Sequence, residues 1–439
     1  MLLAPSILAQ AAPIPVPAVL DSAEYEEAPV LAASRILQPA YHQGPYHRVR
    51  EAVPTYSGAN HYVIDSDFGV FEAEGNLLLE QRVAEIYAIA RLQDLTLRDE
   101  YQQALKEAAK SPLLLARNLA QNPLGTVSSV PKGIWKFMNR AGQGIKEAAE
   151  GRKRSEYEDN PLEDFSGMSK AKRELAAKLG VNPYSSNEVL QRELNRMAWA
   201  SVAGNLTISA ISIGLTGGAA VVMTASGINQ TTTEVLRDTD PNDLRRMNTA
   251  ALVEMGIKKA DAEAFLASPA FSPWHQTFLV NALKQLNGVK GRDALVKAAT
   301  ENAADEAEAL FYAYTTYLIA QLHQSDIPVE SIVIFHGLPV CAARDGRAVV
   351  ALQWDYAAWT EPTARFVAAL KDFNAREPIV PPSKPAKKGR KNAEKSAASA
   401  PAKQGWLVAI SGQASPLFLQ QMAAIGVEVR ERLAPGPLR

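Results

Sequence analysis

The feature that most constrains the fold is an uncharged stretch of 37 residues, from Met197 to Thr233, which contains no Asp, Glu, Lys, Arg or His. A stretch of this length is typical of a segment that is buried, either in a protein core or in a bilayer. Six Ser and Thr side chains lie between residues 206 and 228, and hydroxyl groups suit protein packing better than hydrocarbon. The sequence therefore predicts a buried helical hairpin that turns near Gly217 and Gly218. A hairpin that inserts into a membrane, as in a pore-forming protein, is the alternative.

The composition narrows the class of protein. Apolar residues make up 47% and charged residues 21% of the 439 residues, as in soluble globular proteins of two or three domains. The net charge is −1, whereas a dedicated nucleic-acid binder is usually basic. Because Cys341 is the single cysteine, an internal disulfide framework and a cysteine-based zinc cluster are excluded. We expect no nucleic-acid partner, no cofactor and no metal site.

The first residues indicate a compartment. Residues 1–11 form a short apolar run that ends in Ala9-Gln10-Ala11, and this small-x-small pattern resembles the end of a secretory signal peptide. The pattern predicts a periplasmic or secreted protein. Residues 12–55 are rich in Pro, His and Tyr without a steady period, which predicts an extended arm on the surface of a domain. The spacing of His42, His47 and His61 matches no metal-binding motif.

Apolar periodicity predicts an α+β protein that is mainly α-helical, with a helical bundle-like core, a short N-terminal β-hairpin and a small C-terminal α/β unit. We expect the hairpin at residues 61–75 with its bend at Gly69, and further helices up to residue 155. A helical domain, residues 156–325, would contain the uncharged stretch. The C-terminal unit, residues 326–439, would contain a second hairpin at Arg344-Asp345-Gly346 and a disordered Lys/Ala/Pro-rich insertion at residues 377–404.

A helix with one apolar stripe and several basic residues is predicted between residues 124 and 154. Such a helix can lie in a bilayer interface, with its cations at anionic head groups, or it can pack on a neighbouring helix. The residues expected to contact a membrane or a partner protein are Val130, Lys132, Ile134, Trp135, Lys136, Phe137, Arg140 and Ile145.

The C-terminal unit contains the weaker candidates for a ligand site. Residues 411–415 follow a predicted strand and precede a predicted helix, where backbone amides can bind a phosphate or carboxylate. We take Ser411, Gly412, Ser415 and His336 as ligand-binding candidates, although Ser415 is also a good helix cap. Cys341, His336 and Asp345 have the chemistry of a cysteine nucleophile. A lone Cys is more often buried as a small apolar side chain, so no catalytic residue is predicted.

Three functional hypotheses follow from these observations. The first is an exported, non-enzymatic envelope protein that associates with an anionic membrane surface or another envelope protein through residues 124–154. The second is an enzyme or small-ligand-binding protein with its site at the C-terminal α/β sheet. The third is a pore-forming protein that inserts residues 197–233. The sequence leaves open whether the protein is an enzyme.

Overall fold

The computed structural model describes residues 25–97, 103, 167–204, 230–376, 379, 405–433 and 437–438. These residues form a mixed α+β fold. Several expectations lie outside them: the signal-like residues 1–11, the amphipathic helix at 124–154, residues 205–229 of the uncharged stretch, and nearly all of the insertion at 377–404. Within the described ranges, no helix combines the length and the apolar character needed to cross a membrane.

An antiparallel sheet of five strands begins the described chain. The strands are β1 (Val30–Ala32), β2 (His47–Val49), β3 (Ala52–Tyr56), β4 (Ala59–Ser66) and β5 (Gly69–Glu74), and β4 pairs with β2, β3 and β5. Two short helices, α1 (Ala33–Ile36) and α2 (Pro39–His42), connect β1 to β2. Strands β4 and β5 pair over the residues where the sequence predicts a hairpin, and Gly69 starts β5 with a positive φ of 128°. Alternate residues of β4, including Tyr62 and Ile64, are buried, which explains the alternating sequence pattern.

The extended, Pro-rich surface arm that the sequence predicts over residues 12–55 is not observed for residues 30–55, so this part of the prediction is corrected. Residues 30–55 contribute β1, β2 and β3 to the sheet, together with α1 and α2, and Leu37, Val49 and Val53 are completely buried. The strands are only three to five residues long, so alternation has no room to become visible in the sequence. The short N-terminal hairpin is therefore one part of a larger sheet.

Four contacts connect this region to residues far along the chain. The Gln38 amide donates to the Pro437 carbonyl at 2.7 Å, and Leu37 forms an isolated antiparallel bridge with Leu438. Glu26 accepts hydrogen bonds through its carboxylate from the Trp359 amide and the Ser415 hydroxyl. The N-terminal sheet is thus held to the C-terminal part of the fold.

Helices α3 (Asn76–Thr96), α4 (Met168–Leu179), α5 (Glu188–Gly204) and α6 (Gln230–Asp238) follow the sheet. The C-terminal half of α3 packs with α4 and α5 in a separate apolar cluster, which we call the distal helical cluster. Asn187, just before α5, donates a hydrogen bond at 2.8 Å to Glu85 in the middle of α3, which fixes the start of α5 against that helix.

Five further helices form the centre of the molecule: α7 (Pro241–Glu254), α8 (Lys259–Leu266), α9 (Pro273–Gln285), α10 (Arg292–Asn302) and α11 (Glu306–Gln324). Asp240, Ser272 and Asp305 cap α7, α9 and α11 by accepting a hydrogen bond from the amide three residues later. The apolar pattern of residues 300–323 predicts a single helix, but α10 ends at Asn302 and Asp305 caps α11 as a new helix.

The C-terminal sheet contains β6 (Val329–Phe335), β7 (Leu338–Ala343), β8 (Arg347–Leu352), β10 (Gly405–Ile410) and β12 (Val427–Arg430), in the order β12-β10-β8-β7-β6. Strands β6, β7 and β8 are antiparallel, whereas β8, β10 and β12 are parallel. The expected hairpin at Arg344-Asp345-Gly346 joins β7 to β8. Short strands β9 (Tyr356–Ala357) and β11 (Gln413–Ala414) pair with each other, and α12 (Glu361–Arg376) and α13 (Pro416–Ala424) provide the parallel crossovers.

Both faces of the C-terminal sheet are covered. Alternate residues such as Val349 and Leu407 face the core shared with the N-terminal sheet and the central helices, while Val350 and Val408 face α12 and α13. The expected C-terminal unit therefore shares one apolar core with the rest of the protein.

Candidate functional site

A cleft of about 530 Å³ lies where the N-terminal sheet, α11 and the C-terminal sheet meet. Its walls come from the β3–β4 turn, the start of α3, the first turns of α11, the β6–β7 turn, the loop after β8, and α12. Five aromatic side chains contribute to the lining: Phe311, Tyr312, Trp354, Tyr356 and Phe366. A concave site with largely apolar walls and a few polar groups has the general form of a small-molecule site.

The β6–β7 turn forms one rim of the cleft. His336 and Gly337 are its two central residues, and both have positive φ, 48° and 81°, as in the tight turns that match the twist of paired strands. The Tyr312 hydroxyl donates to the Gly337 carbonyl at 2.8 Å. This bond fixes the turn against α11 and leaves His336 exposed beside the cleft.

Asp355 stabilises the opposite wall of the cleft through its hydrogen bonds. It follows β8, and its Oδ2 accepts hydrogen bonds at 3.0 Å from the amides of both Asn60 and Asn76. Asn76 is the first residue of α3, and the preceding Gly75 has no side chain to cap the helix, so Asp355 supplies the acceptor that helix N-termini require. Its own amide donates to the Gly58 carbonyl at 2.7 Å. We call this set of contacts the Asp355 junction.

The polar side chains behind the junction form hydrogen bonds with one another. Asn60 donates through Nδ2 to the Tyr62 hydroxyl and to Asn76 Oδ1, both at 3.0 Å, and Tyr62 donates to Asn76 Oδ1 at 2.6 Å. Gly58 has a φ of 82°, and a Cβ there would lie 2.4 Å from Trp354 Cδ1. The backbone of the β3–β4 turn therefore lies directly on the Trp354 ring, which only glycine permits.

The carboxyl groups at this junction carry no compensating cation among the described residues. Burial raises the pKa of Asp355 to about 7, although its two amide hydrogen bonds oppose the shift. Glu80, one turn after Asn76, is buried as well. Burial, and then the charge of Asp355, raise its pKa to about 8.

Glu74 and Glu308 line the cleft on two different walls. Burial raises the pKa of each, and repulsion from Asp305 adds to both shifts. No lysine or arginine occurs among the described residues that line the cleft. The cleft therefore combines negative charge with aromatic walls.

The structure places only one of the four ligand-binding candidates, His336, in the lining of this cleft. The Ser411 hydroxyl donates to the Trp354 carbonyl at 2.8 Å. Gly412 lies so close to the loop after β8 that a Cβ would be 1.9 Å from the Asp355 carbonyl oxygen. Ser415 caps α13 and binds Glu26. Hydrogen bonds within the protein thus use both hydroxyls, and backbone contact explains the glycine. Ligand binding at these residues stays a prediction.

Cys341, His336 and Asp345 do not come together. Cys341 lies in β7 between Ile332 and Val349, and complete burial raises the pKa of its thiol to about 12. Asp345 accepts a hydrogen bond from the side chain of Arg347, while His336 lies in the turn at the other end of β7. A buried thiol with a raised pKa is unreactive.

The three N-terminal histidines have separate contacts. His47 Nε2 lies 3.1 Å from the Tyr41 carbonyl, His61 stacks on Tyr56 with ring centroids 3.8 Å apart, and His42 lies 3.5 Å from Glu51. Across the described ranges, no group of three or more His, Cys, Asp or Glu residues is arranged to hold a metal ion.

A second buried polar cluster differs from the junction, and we call it the Arg82 cluster. Arg82 on α3 lies 2.8 Å from both Glu85 Oε2 and Glu306 Oε2, and all three side chains are at most 10% exposed. Ser185 and Asn187 also donate to Glu85. Both carboxylates therefore have a partner cation inside the protein, although burial still raises the pKa of Glu85.

Sequence reasoning missed the residues that matter most in the cleft: Glu74, Glu308 and Asp355. Asp355 had a detectable signal, since it is an acidic residue directly after a buried parallel strand, where ligand sites often form. Glu74 and Glu308 had none, because both are exposed in part and lie near ordinary element ends. Comparisons of this chain with known protein families, with curated proteins and with solved structures gave no match.

Proposed function

We propose that this protein binds a small organic molecule in the cleft between its two sheets. The observation that carries the proposal is the cleft itself, whose volume of about 530 Å³ lies within the usual range for small-molecule sites. Whether the bound molecule is also transformed is a separate question, and the proposal covers binding.

The way the walls are fixed supports this proposal. The Tyr312–Gly337 hydrogen bond holds one rim, and the Asp355 junction holds the other. Both depend on buried or half-buried groups with good hydrogen-bond geometry. A site whose walls are already in place loses little conformational entropy when a ligand binds.

The experiment is a thermal-shift screen of a broad small-molecule library, followed by calorimetry on the compounds that stabilise the protein. Ala307 lines the cleft and Ala304, just before α11, does not. We expect Ala307→Phe to fill part of the cleft and abolish the stabilisation, whereas Ala304→Phe, the matched control, leaves it unchanged. A library without a single stabilising compound, or compounds that bind Ala307→Phe equally well, would contradict the proposal.

A second candidate function is association with an anionic membrane surface or a partner protein of the envelope through residues 124–154. The supporting observation is the pattern of that stretch, in which apolar residues recur at helical spacing while Lys132, Lys136 and Arg140 fall outside the apolar stripe. Insertion of residues 197–233 as a pore, and export itself, are further proposals of the same kind.

Vesicle flotation tests this second candidate with a form of the protein that begins at Ala12. We expect binding to anionic vesicles, weaker binding at high salt, and loss of binding in Ile134→Glu. The control is Leu97→Glu, because Leu97 is 80% exposed in the described chain. Equal loss in both variants, or no binding to any vesicle, would contradict a membrane-surface role, and dye-loaded vesicles that stay sealed would contradict the pore.

A further inference from the structure

We infer that the ligand of the cleft is a small organic cation, an amine or quaternary ammonium group carried on an apolar body. The inference rests on the proposed function and adds the chemical class of the ligand. It is carried by the charge and the aromatic content of the lining.

The charge of the lining excludes anions. Glu74, Glu308 and Asp355 contribute carboxyl groups, and the described lining contains no lysine or arginine to balance them. A phosphate or carboxylate would be desolvated beside these groups without a counter-ion, which is strongly unfavourable. A cation gains the opposite interaction, and apolar walls strengthen it because they lower the local dielectric constant.

The positions of two carboxyl groups suggest where the cation lies. Glu74 is the last residue of β5, and Glu308 is in the first turn of α11. Repulsion from Glu74 is one of the causes that raise the pKa of Glu308. A positive group in the cleft would relieve that repulsion.

The aromatic side chains favour an organic cation over a metal ion. Five of them line the cleft, and an ammonium group over an aromatic face is attracted by the electrons of the ring. A metal ion would need several oxygen or nitrogen ligands at close range, and no such group of side chains occurs in the described ranges. Apolar walls also suit the carbon skeleton of an organic amine.

Three probes of nearly equal shape test the inference by calorimetry: 2-phenylethylamine, 2-phenylethanol and phenylacetate, which are positive, neutral and negative at neutral pH. We expect the amine to bind at least about ten-fold more tightly than the alcohol and phenylacetate not to bind. Binding of the amine should weaken when the salt concentration is raised from about 50 to about 500 mM.

Equal binding of amine and alcohol, or tighter binding of phenylacetate, would overturn the inference. So would a library ligand that is neutral or anionic and that Ala307→Phe excludes, and in that case the proposed function would survive. If neither the probes nor any library compound bind, the proposed function and the inference fail together. The two failures are therefore distinguishable.

Variants place the cation within the cleft. We expect Glu308→Gln and Glu74→Gln each to weaken binding of the amine about ten-fold, with little change for the alcohol. Glu72→Gln is the matched control, because Glu72 is an exposed carboxyl on the same strand as Glu74 and does not line the cleft. Equal weakening by Glu72→Gln would show that general negative charge attracts the amine, and would overturn the assignment to the cleft.

Discussion

The Arg82 cluster and the Asp355 junction both bury carboxyl groups between elements that are far apart in sequence. Arg82 lies between Glu85 and Glu306 and pairs with both of them. At the junction, Asp355 and Glu80 have no ion pair among the described residues, and the pKa of each is raised. The cleft beside the junction adds Glu74 and Glu308. The Arg82 cluster therefore contains its own cation, whereas the described residues that line the cleft include no lysine or arginine.

The presence or absence of a partner cation helps to decide whether a buried carboxyl group stabilises the fold or takes part in ligand binding. A buried ion pair with further hydrogen bonds costs a great deal when one partner is removed, because a charge is left without compensation. Uncompensated carboxyl groups instead become protonated, which removes most of the cost of burying them. Groups of that kind next to an open cleft remain available to a ligand.

The largest expected effect on stability comes from removing the cation of the Arg82 cluster. Arg82→Met leaves Glu85 and Glu306 buried without a cation, so the free energy of unfolding should fall by about 3–5 kcal/mol. Urea denaturation at neutral pH measures it. Arg50→Ala is the control, because the Arg50–Asp65 pair is exposed and solvent screens its charges, so its removal should lower the free energy of unfolding far less. Similar losses in the two variants would mean that the buried Arg82 cluster contributes no more to the free energy of unfolding than an exposed ion pair.

A smaller effect is expected behind the junction. In Gly412→Ala, the new Cβ would meet the Asp355 carbonyl oxygen at 1.9 Å, and backbone has to move, which costs roughly 1–3 kcal/mol. Gly405→Ala provides the control at the start of β10, because no described atom outside its chain neighbours lies within 4 Å of the added Cβ. Thermal unfolding compares them. Equal stability of Gly412→Ala and Gly405→Ala would contradict the close approach of Gly412 to the Asp355 carbonyl oxygen.

The smallest expected effect is on the pH dependence of stability. The pKa of Glu80 is raised to about 8, so the native state keeps a proton that the unfolded chain has released. The free energy of unfolding therefore falls as the pH rises from about 6.5 to about 8, by roughly 1 kcal/mol per pH unit for this group. Glu80→Gln should flatten that slope.

The pH range matters because His275 acts in the opposite direction. Burial lowers its pKa to about 4, so its contribution to stability increases with pH between that value and its ordinary value near 6.5. Above a pH of about 6.5, the slope of the free energy of unfolding with pH therefore contains the Glu80 contribution without the His275 contribution. Glu72→Gln should leave the slope as in the unchanged protein, and an unchanged slope in Glu80→Gln would contradict the buried, protonated carboxyl.

The sequence predicted those parts of the fold that depend on neighbouring residues. Strands β4 and β5 and the Arg344-Asp345-Gly346 turn between β7 and β8 lie where the sequence predicts hairpins, because each depends on the chemistry of a few adjacent residues. The strands within residues 30–55 required tertiary contacts that local patterns do not contain.

The candidate site was much less predictable for the same reason. The hydrogen bond from Asn60 to Asp355 spans 295 positions, and no periodicity records a contact of that range. His336 was selected for its chemistry near a glycine loop, and it lies at the cleft because a tight turn places it there. Ser411 and Ser415 had suitable chemistry, but residues of the same chain already occupy their hydroxyls.

The contacts of Glu26 and Gln38 have a consequence for the order in which the protein can mature. A ribosome adds about 5–20 residues per second, so the partners of Gln38 at residues 437–438 are synthesised tens of seconds after it. The segment around Gln38 therefore lacks these partners until residues 437–438 have been synthesised. Cellular factors that hold nascent chains can reach this segment during that interval.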